Sequence, residues 1–240
     1  MTERTAPTVV LVHGAFADAA SWSGVIRELQ REGVSVVAPP NPLRGLASDA
    51  AYVSSVAAQI DGPVILVGHS YGGAIITVAG ATENVAGLVF VAAYVLEEGE
   101  SLGELQGRFP APPLADNLRP ATYPVDGAEP AVELTIATEA FPSVFAADVP
   151  EEVTKVLAVA QRPLAAAAFD EPARVASWKT KPSWAVVADA DHAINPEVQR
   201  FAAKRAGASV VEVEGASHAV AVSQPKAVAD VILQAVRAAG

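Results

Sequence analysis

Six short apolar runs punctuate the chain, at Thr8 to Val12, Val34 to Ala38, Pro63 to Val67, Gly87 to Tyr94, Trp184 to Ala188 and Ser209 to Val213. Apart from Ser35 and Glu212, their interiors are continuously hydrophobic. A strand with one wet face alternates apolar and polar residues, whereas a strand covered on both faces does not have to. Segments with helical spacing lie between most of the runs: Ala19 to Glu32, Asp49 to Ile60, Gly73 to Ala81, Pro196 to Ala206 and Pro225 to Ala238. Strand alternating with helix predicts a parallel sheet of about six strands with helices on both faces. The longest nearly unbroken apolar stretch, Val85 to Leu96, falls well short of the ~20 residues a membrane-spanning helix needs, so it reads as a buried strand.

Composition fits this picture and removes several function classes. With 51% hydrophobic and 18% charged residues over 240 positions, the chain has enough apolar material for a single core and is not a disordered polymer. Its 27 acidic and 16 basic residues give a formal charge of −11, which repels phosphate backbones and anionic lipid, so neither nucleic acid nor membrane is an expected partner. Cysteine is absent, which excludes disulfides, thiolate metal sites, iron–sulfur clusters and a cysteine nucleophile. Residues Met1 to Pro7 are short and polar, and the run Val9 to Val12 behind them is too brief for a signal-peptide core. A cytoplasmic location is the expectation.

The alternation fails between Glu97 and Pro182, where eleven of the chain's 18 prolines fall. This segment is expected to be a small helical cap (97–182) inserted into a core made of 1–96 and 183–240, forming one structural domain overall. Ala131 to Ala140 and Glu151 to Gln161 have helical composition, and Pro130 and Pro150 stand where prolines open helices. A disordered linker would leave Phe141, Phe145, Leu157, Leu164 and Phe169 in water. The final helix, with Val228, Ile232, Leu233 and Val236 at helical spacing, is expected to dock on the sheet.

Chemistry enters at Gly68-His69-Ser70-Tyr71-Gly72-Gly73, which follows the strand Val64 to Val67 and precedes a helix. A serine on a sharp strand-to-helix turn needs neighbours without side chains two residues away on each side. Gly68 and Gly72 supply them. Such a turn lifts the Ser70 hydroxyl above the sheet edge, beside the positive end of the next helix. The hydroxyl is a weak nucleophile without a base, and only His13, His69, His192 and His218 are available. His218, in the loop after the last expected strand, is the candidate general base, and His13 is read as a brace for its own loop. An acid should follow the fifth strand to hold the imidazole. Asp189 and Asp191 both qualify by position, and Asp191, further into the loop, is better able to bend toward His218. An oxyanion hole needs two fixed donors. The backbone N–H of Tyr71, next to the serine, and that of Ala15, in the loop after the first strand, are the candidates. Phe16, Tyr94, Phe141 and Phe145 are the residues expected to line an apolar substrate pocket.

Leu11 to Phe16, the Gly-His-Ser-Tyr-Gly-Gly turn, the Asp191 loop and Ser217-His218-Ala219-Val220 together resemble the small α/β-hydrolase fold proteins, across nearly the whole chain. The resemblance is greatest to bacterial esterases akin to the plant methyl-ester esterase and hydroxynitrile lyase group. It implies the α/β-hydrolase fold, a helical cap over the site, hydrolysis of small esters without cofactor or metal, and Asp191 as the acid. The lyase branch typically carries a threonine after the first-strand histidine and a lysine after the catalytic histidine. Here Gly14 and Ala219 occupy those places, so no cation stands ready to accept cyanide. The expectation is a serine hydrolase that cleaves small hydrophobic carboxylic esters through an acyl-enzyme. A lyase on the same fold and a non-catalytic small-ligand receptor are the alternatives. A monomer and a homodimer remain equally open.

Overall fold

The structure is a computed structural model that describes residues 6–240. Of the N-terminal segment read above as leader-free, residues 1–5 lie outside the described residues.

Thr8–Val12 (β1), Val36–Val37 (β2), Val64–His69 (β3), Val85–Val91 (β4), Ser183–Ala188 and Ser209–Val213 form one sheet. The last two strands are β8 and β9, because three further strands fall between β4 and them. The order is β2-β1-β3-β4-β8-β9, and every pairing is parallel. Successive side chains of a strand point to opposite faces. Val9 and Leu11 of β1 accordingly join one core cluster, while Val10 and Val12 join the other. Ser23–Arg31 (α1), Val220–Ser223 (α8) and Pro225–Ala239 (α9) cover the first face. Leu46–Ala58 (α2), Tyr71–Ala79 (α3) and Pro196–Arg205 (α7) cover the second. Val228 and Ile232 of α9 are fully buried against the sheet, as the helical spacing predicts. Among the described residues no helix is long and apolar enough to cross a membrane.

The interior strands β3 and β8 are buried at every position, but Ser209 to Glu212 of the edge strand β9 are exposed. Its apolar run is that of an edge strand covered incompletely, which hydrophobicity alone does not distinguish from an interior one.

The segment between β4 and β8 is ordered but is not all helix. It holds Leu102–Gln106 (α4), Leu118–Tyr123 (β5), Ala131–Ile136 (β6), Phe141–Phe145 (α5), Glu151–Val159 (α6) and Leu164–Ala165 (β7). The three strands form a separate antiparallel sheet in the order β5-β6-β7. The helix expected over Ala131 to Ala140 is therefore corrected to the strand β6. Its alanine and glutamate content suggested helix, yet β-branched Val132, Thr135 and Ile136 suit a pleated surface. The partner β5 supplies a ladder from Leu118↔Ile136 to Tyr123↔Ala131, a pairing that composition cannot reveal. Helix α6 does form behind Pro150. Phe141, Phe145 and Leu164 are buried, while Leu157 and Phe169 are half-buried against the core. Buried Glu100 ties the start of the segment to α7 by accepting from Arg205 at 2.6 Å and pairing with Arg108 at 2.6 Å.

Candidate active site

At the end of β3 the backbone turns through Ser70, whose φ of 57° and ψ of −123° are foreign to most L-residues. Holding a side chain there costs on the order of 1–3 kcal/mol, which the surroundings must supply. They do so with backbone contacts: Ser70 N–H donates to the Val91 carbonyl at 3.1 Å, and its own carbonyl accepts from Gly73 N–H at 3.0 Å. The two glycines are sterically required. A Cβ on Gly68 would strike the Gly72 carbonyl group, and one on Gly72 would strike the carbonyl oxygen of Val12. Tyr71 begins α3, so the helix N-terminus lies directly under the serine.

His218 and Asp191 meet beyond the same sheet edge, both fully buried, with Nδ1 of the imidazole 2.6 Å from Oδ2 of the carboxylate. The carboxylate is fixed from every side. Oδ1 accepts from the N–H groups of Ala193 at 2.7 Å and Ile194 at 2.9 Å, and Oδ2 also accepts from Nε2 of Gln199 at 2.7 Å. Gln199 is itself held, because its Oε1 accepts from Ala188 N–H at 3.1 Å. Asp189 does something else. Its Oδ1 accepts from Gly215 N–H at 2.6 Å and so braces the base of the His218 loop.

The remaining histidines divide the supporting work. His13 is buried and grips Asn41, accepting its N–H on Nε2 at 2.9 Å, while Nδ1 donates to the Gly14 carbonyl at 2.9 Å. Burial pushes its pKa down. His69, in the turn itself, donates from Nε2 to the His218 carbonyl at 2.8 Å, with the two rings 4.6 Å apart. Burial, reinforced by the neighbouring His218, lowers its pKa to about 3, so this ring is a neutral pin for the His218 loop. His192 is exposed, against the Ser143 carbonyl at 3.0 Å.

The His69 shift has a measurable result. An unfolded histidine titrates near 6.5, and the folded one does so near 3. The unfolded state therefore binds the extra proton between these values, and the stability held above pH 6.5 is lost as pH falls toward 3. His69→Gln keeps an N–H donor and removes the titration. Its unfolding free energy should fall less steeply from pH 6.5 to 4 than that of the wild type. The slope should differ by about one proton, on the order of 1.4 kcal/mol per pH unit, as read from denaturant melts at stepped pH. Equal slopes would remove the buried neutral histidine.

Ser70 and His218 face one cavity, whose other walls include Ala15, Phe16, Tyr71, Tyr94, Phe145 and Ile194. Phe16 N–H is taken by the Arg162 carbonyl at 3.0 Å. Among the described residues the N–H groups of Ala15 and Tyr71 have no hydrogen-bond acceptor, and apart from Ser70, His218 and the two tyrosines the cavity they border is walled by apolar side chains. The Tyr71 hydroxyl turns away and donates to Oδ2 of buried Asp49 at 2.9 Å. Burial raises the pKa of both groups, for Asp49 against hydrogen bonds from Arg44, Tyr71, Gly45 and Ser48, for Tyr71 with the added effect of the Asp49 charge. Of the expected pocket residues, Phe16, Tyr94 and Phe145 line this cavity. Phe141 lines a neighbouring cavity, and Phe16 and Phe145 stand in the walls of both.

Phe145 also ties the inserted segment to the histidine loop. Its ring stands edge-on to His218 with centroids 4.8 Å apart, and its carbonyl accepts from Ala219 N–H at 2.9 Å. The Ser217 hydroxyl donates to the Asp148 carboxylate just beyond α5. His69, Gln199 and Asp49 are supports that the motif reading passed over. Gln199 carried the only visible signal, a polar residue on the face of α7 that Val198, Ala202 and Ala203 bury. Among the described residues no group of three or more His, Asp or Glu is arranged to hold a metal ion.

A parallel sheet flanked by helices, with a serine on the strained turn after its third strand and a histidine–carboxylate contact beyond the same edge, defines an α/β-hydrolase fold protein. The chain belongs to the alpha/beta hydrolase family, whose model matches residues 9–231. No curated protein sequence matches it. Among solved structures it is similar to polyneuridine aldehyde esterase, at 22% identity over 96% of this chain and 99% of that one, with a TM-score of 0.82. A pyrethroid hydrolase from Sphingobium faniae JZ-2 is 24% identical, with 98% of each chain covered and a TM-score of 0.77. Tomato methylketone synthase I is 17% identical over 98% of this chain and 100% of that one, also with a TM-score of 0.77. At these identities the likeness is one of fold.

Proposed function

We propose that the protein is a cofactor-independent serine hydrolase that cleaves small apolar carboxylic esters. The observation that carries this reading is the buried 2.6 Å contact between His218 Nδ1 and Asp191, with His218 and Ser70 on the wall of one cavity. With Asp191 on Nδ1, the imidazole presents Nε2 as the base. His218 takes the Ser70 proton as Oγ attacks the ester carbonyl, and the N–H groups of Ala15 and Tyr71 receive the developing oxyanion. The C–O bond to the alcohol then breaks and His218 returns the proton to the leaving oxygen. Water, activated by the same base, releases the acid from Ser70, and Asp191 stabilises the imidazolium at each step.

Residues 97–182 act in this reading as the cap of a core made of 1–96 and 183–240. Leu102, Leu114, Phe145, Leu164 and Phe169 from that segment form much of the wall of the cavity that Ser70 faces. The small molecule is an ester, and the site of action is the cytoplasm. The lyase alternative lacks a cation, since neither lysine nor arginine lines the cavity. The test is turnover of p-nitrophenyl butyrate without added metal, followed by intact-mass detection of the acid-quenched acyl adduct. Saturable turnover with a butyryl mass on the peptide carrying Ser70 is expected. Ligand-induced thermal stabilisation without turnover would instead favour the receptor reading.

A further inference from the structure

Asp49 is a fully buried carboxylate in the first turn of α2. Among the described residues its hydrogen-bond partners are all neutral groups: the N–H groups of Arg44 at 3.2 Å and Gly45 at 3.5 Å, the Ser48 hydroxyl at 3.5 Å and the Tyr71 hydroxyl at 2.9 Å. A charge held away from water without a cation is expensive. The bond to Tyr71 is the shortest of the set and the only one that leaves Asp49's own stretch of chain. At its other end, Ser70 occupies the N-cap of α3 but makes no side-chain bond to the helix, so its side chain does not steady the first turn. The buried Tyr71 side chain is anchored instead. Burial and the Asp49 charge hold the phenol protonated, which keeps it a donor.

The same stretch of chain also grips the loop that carries the other oxyanion donor. Buried Asn41 donates from its N–H to His13 Nε2 at 2.9 Å and from Nδ2 to the His13 carbonyl at 3.1 Å, and its Oδ1 accepts from Leu43 N–H at 3.3 Å. Asp49 accepts from the next two N–H groups, those of Arg44 and Gly45. Residues 41–49 therefore join the His13–Ala15 loop to the start of α3. We propose that Asp49 is a positioning residue of the oxyanion hole, which through the Tyr71 hydroxyl and the loop at 41–45 sets where the Tyr71 N–H stands relative to that of Ala15. This rests on the serine-hydrolase reading. Oxyanion donors stabilise charge best when they are fixed before it develops. The Tyr71 hydroxyl points away from the cavity, so its loss is felt by the N–H and not by direct contact with substrate.

Tyr71→Phe removes the hydroxyl and leaves the cavity-facing ring. Its kcat for p-nitrophenyl butyrate should fall about tenfold or more, with KM within about twofold of wild type. Asp49→Asn should act the same way, and the double variant should be no worse than the poorer single one, because the two groups work as one unit. If Asp49→Asn does not fold, Tyr71→Phe decides alone. The second readout is inhibition by a trifluoromethyl ketone. Ser70 Oγ bonds to its carbonyl carbon, the C=O electron pair moves onto the oxygen, and the serine proton passes to His218, so the alkoxide takes the place of the oxyanion. Its Ki should rise about tenfold in each variant, while that of the matching methyl ketone stays within about twofold. A lower melting temperature with kcat and both Ki values unchanged, or additive losses in the double variant, overturns the assignment. Should the wild type cleave no ester, the hydrolase reading fails, and hydrogen exchange at the residue 71 amide decides the restraint separately. About tenfold faster exchange in Tyr71→Phe sustains it, and equal exchange overturns it.

Discussion

Ser70→Ala is expected to lower kcat for p-nitrophenyl butyrate by about 10⁶, leaving a residual rate that binding and the oxyanion donors sustain over water. The substitution removes one oxygen and nothing that holds the turn together. The bonds fixing the turn run through the Ser70 backbone to Val91 and Gly73, and Gly68 and Gly72 keep their clearance. KM should therefore change little and the melting temperature should be retained, so the loss falls on kcat alone. The acyl mass adduct should vanish with the activity. Retention of even one hundredth of wild-type kcat, with no adduct elsewhere, would move the nucleophile away from Ser70.

Asp191→Asn should cost about 10⁴ in kcat, and the reason lies in the four donors around the carboxylate. The N–H groups of Ala193 and Ile194 demand an acceptor at the Oδ1 position. An asparagine must then place its NH₂ where Oδ2 was, facing both the Gln199 amide and His218 Nδ1. The imidazole can only accept from that NH₂, which puts its proton on Nε2 and leaves no base for Ser70. Asp189→Asn is the control. The bond to Gly215 N–H at 2.6 Å needs an oxygen that asparagine still offers, so its kcat should remain within about tenfold of wild type. The two variants compared by turnover and by melting temperature separate tautomer control from loop bracing. Reversed effects would transfer the acid's role to Asp189.

The supports of these residues were less legible in the sequence than the residues themselves. The central strands declared their position because hydrophobicity without alternation has few explanations in a chain of this size. The turn at Ser70 was readable because glycines two places to either side of a serine mark a sharp strand-to-helix turn, although the clashes they avoid are with the carbonyls of Gly72 and Val12. Asp191 could be distinguished from Asp189 only by how a loop bends, and that bend is set by N–H groups of Ala193 and Ile194 that no side-chain pattern encodes. The strand β6 was missed because its partner β5 is a tertiary neighbour, and local composition favoured helix. The neighbouring cavity was likewise invisible, since Phe141, Leu157 and Val222 come together from three separate stretches of chain.

The bond from Ala219 N–H to the Phe145 carbonyl, and that from Ser217 to Asp148, bear on how this fold can be recombined. Residues 97–182 look like a module that could be exchanged for another to change selectivity. Yet the residues on either side of His218 are anchored to that module, Ala219 by its backbone and Ser217 by its hydroxyl, so a transplanted segment inherits an obligation to the core. A chimera that fills the pocket well but offers no carbonyl opposite residue 219 would leave that buried N–H only its longer contact, 3.3 Å, with the Ser217 hydroxyl beside the base. Successful exchanges should be those in which the loop after β9 travels together with the insertion.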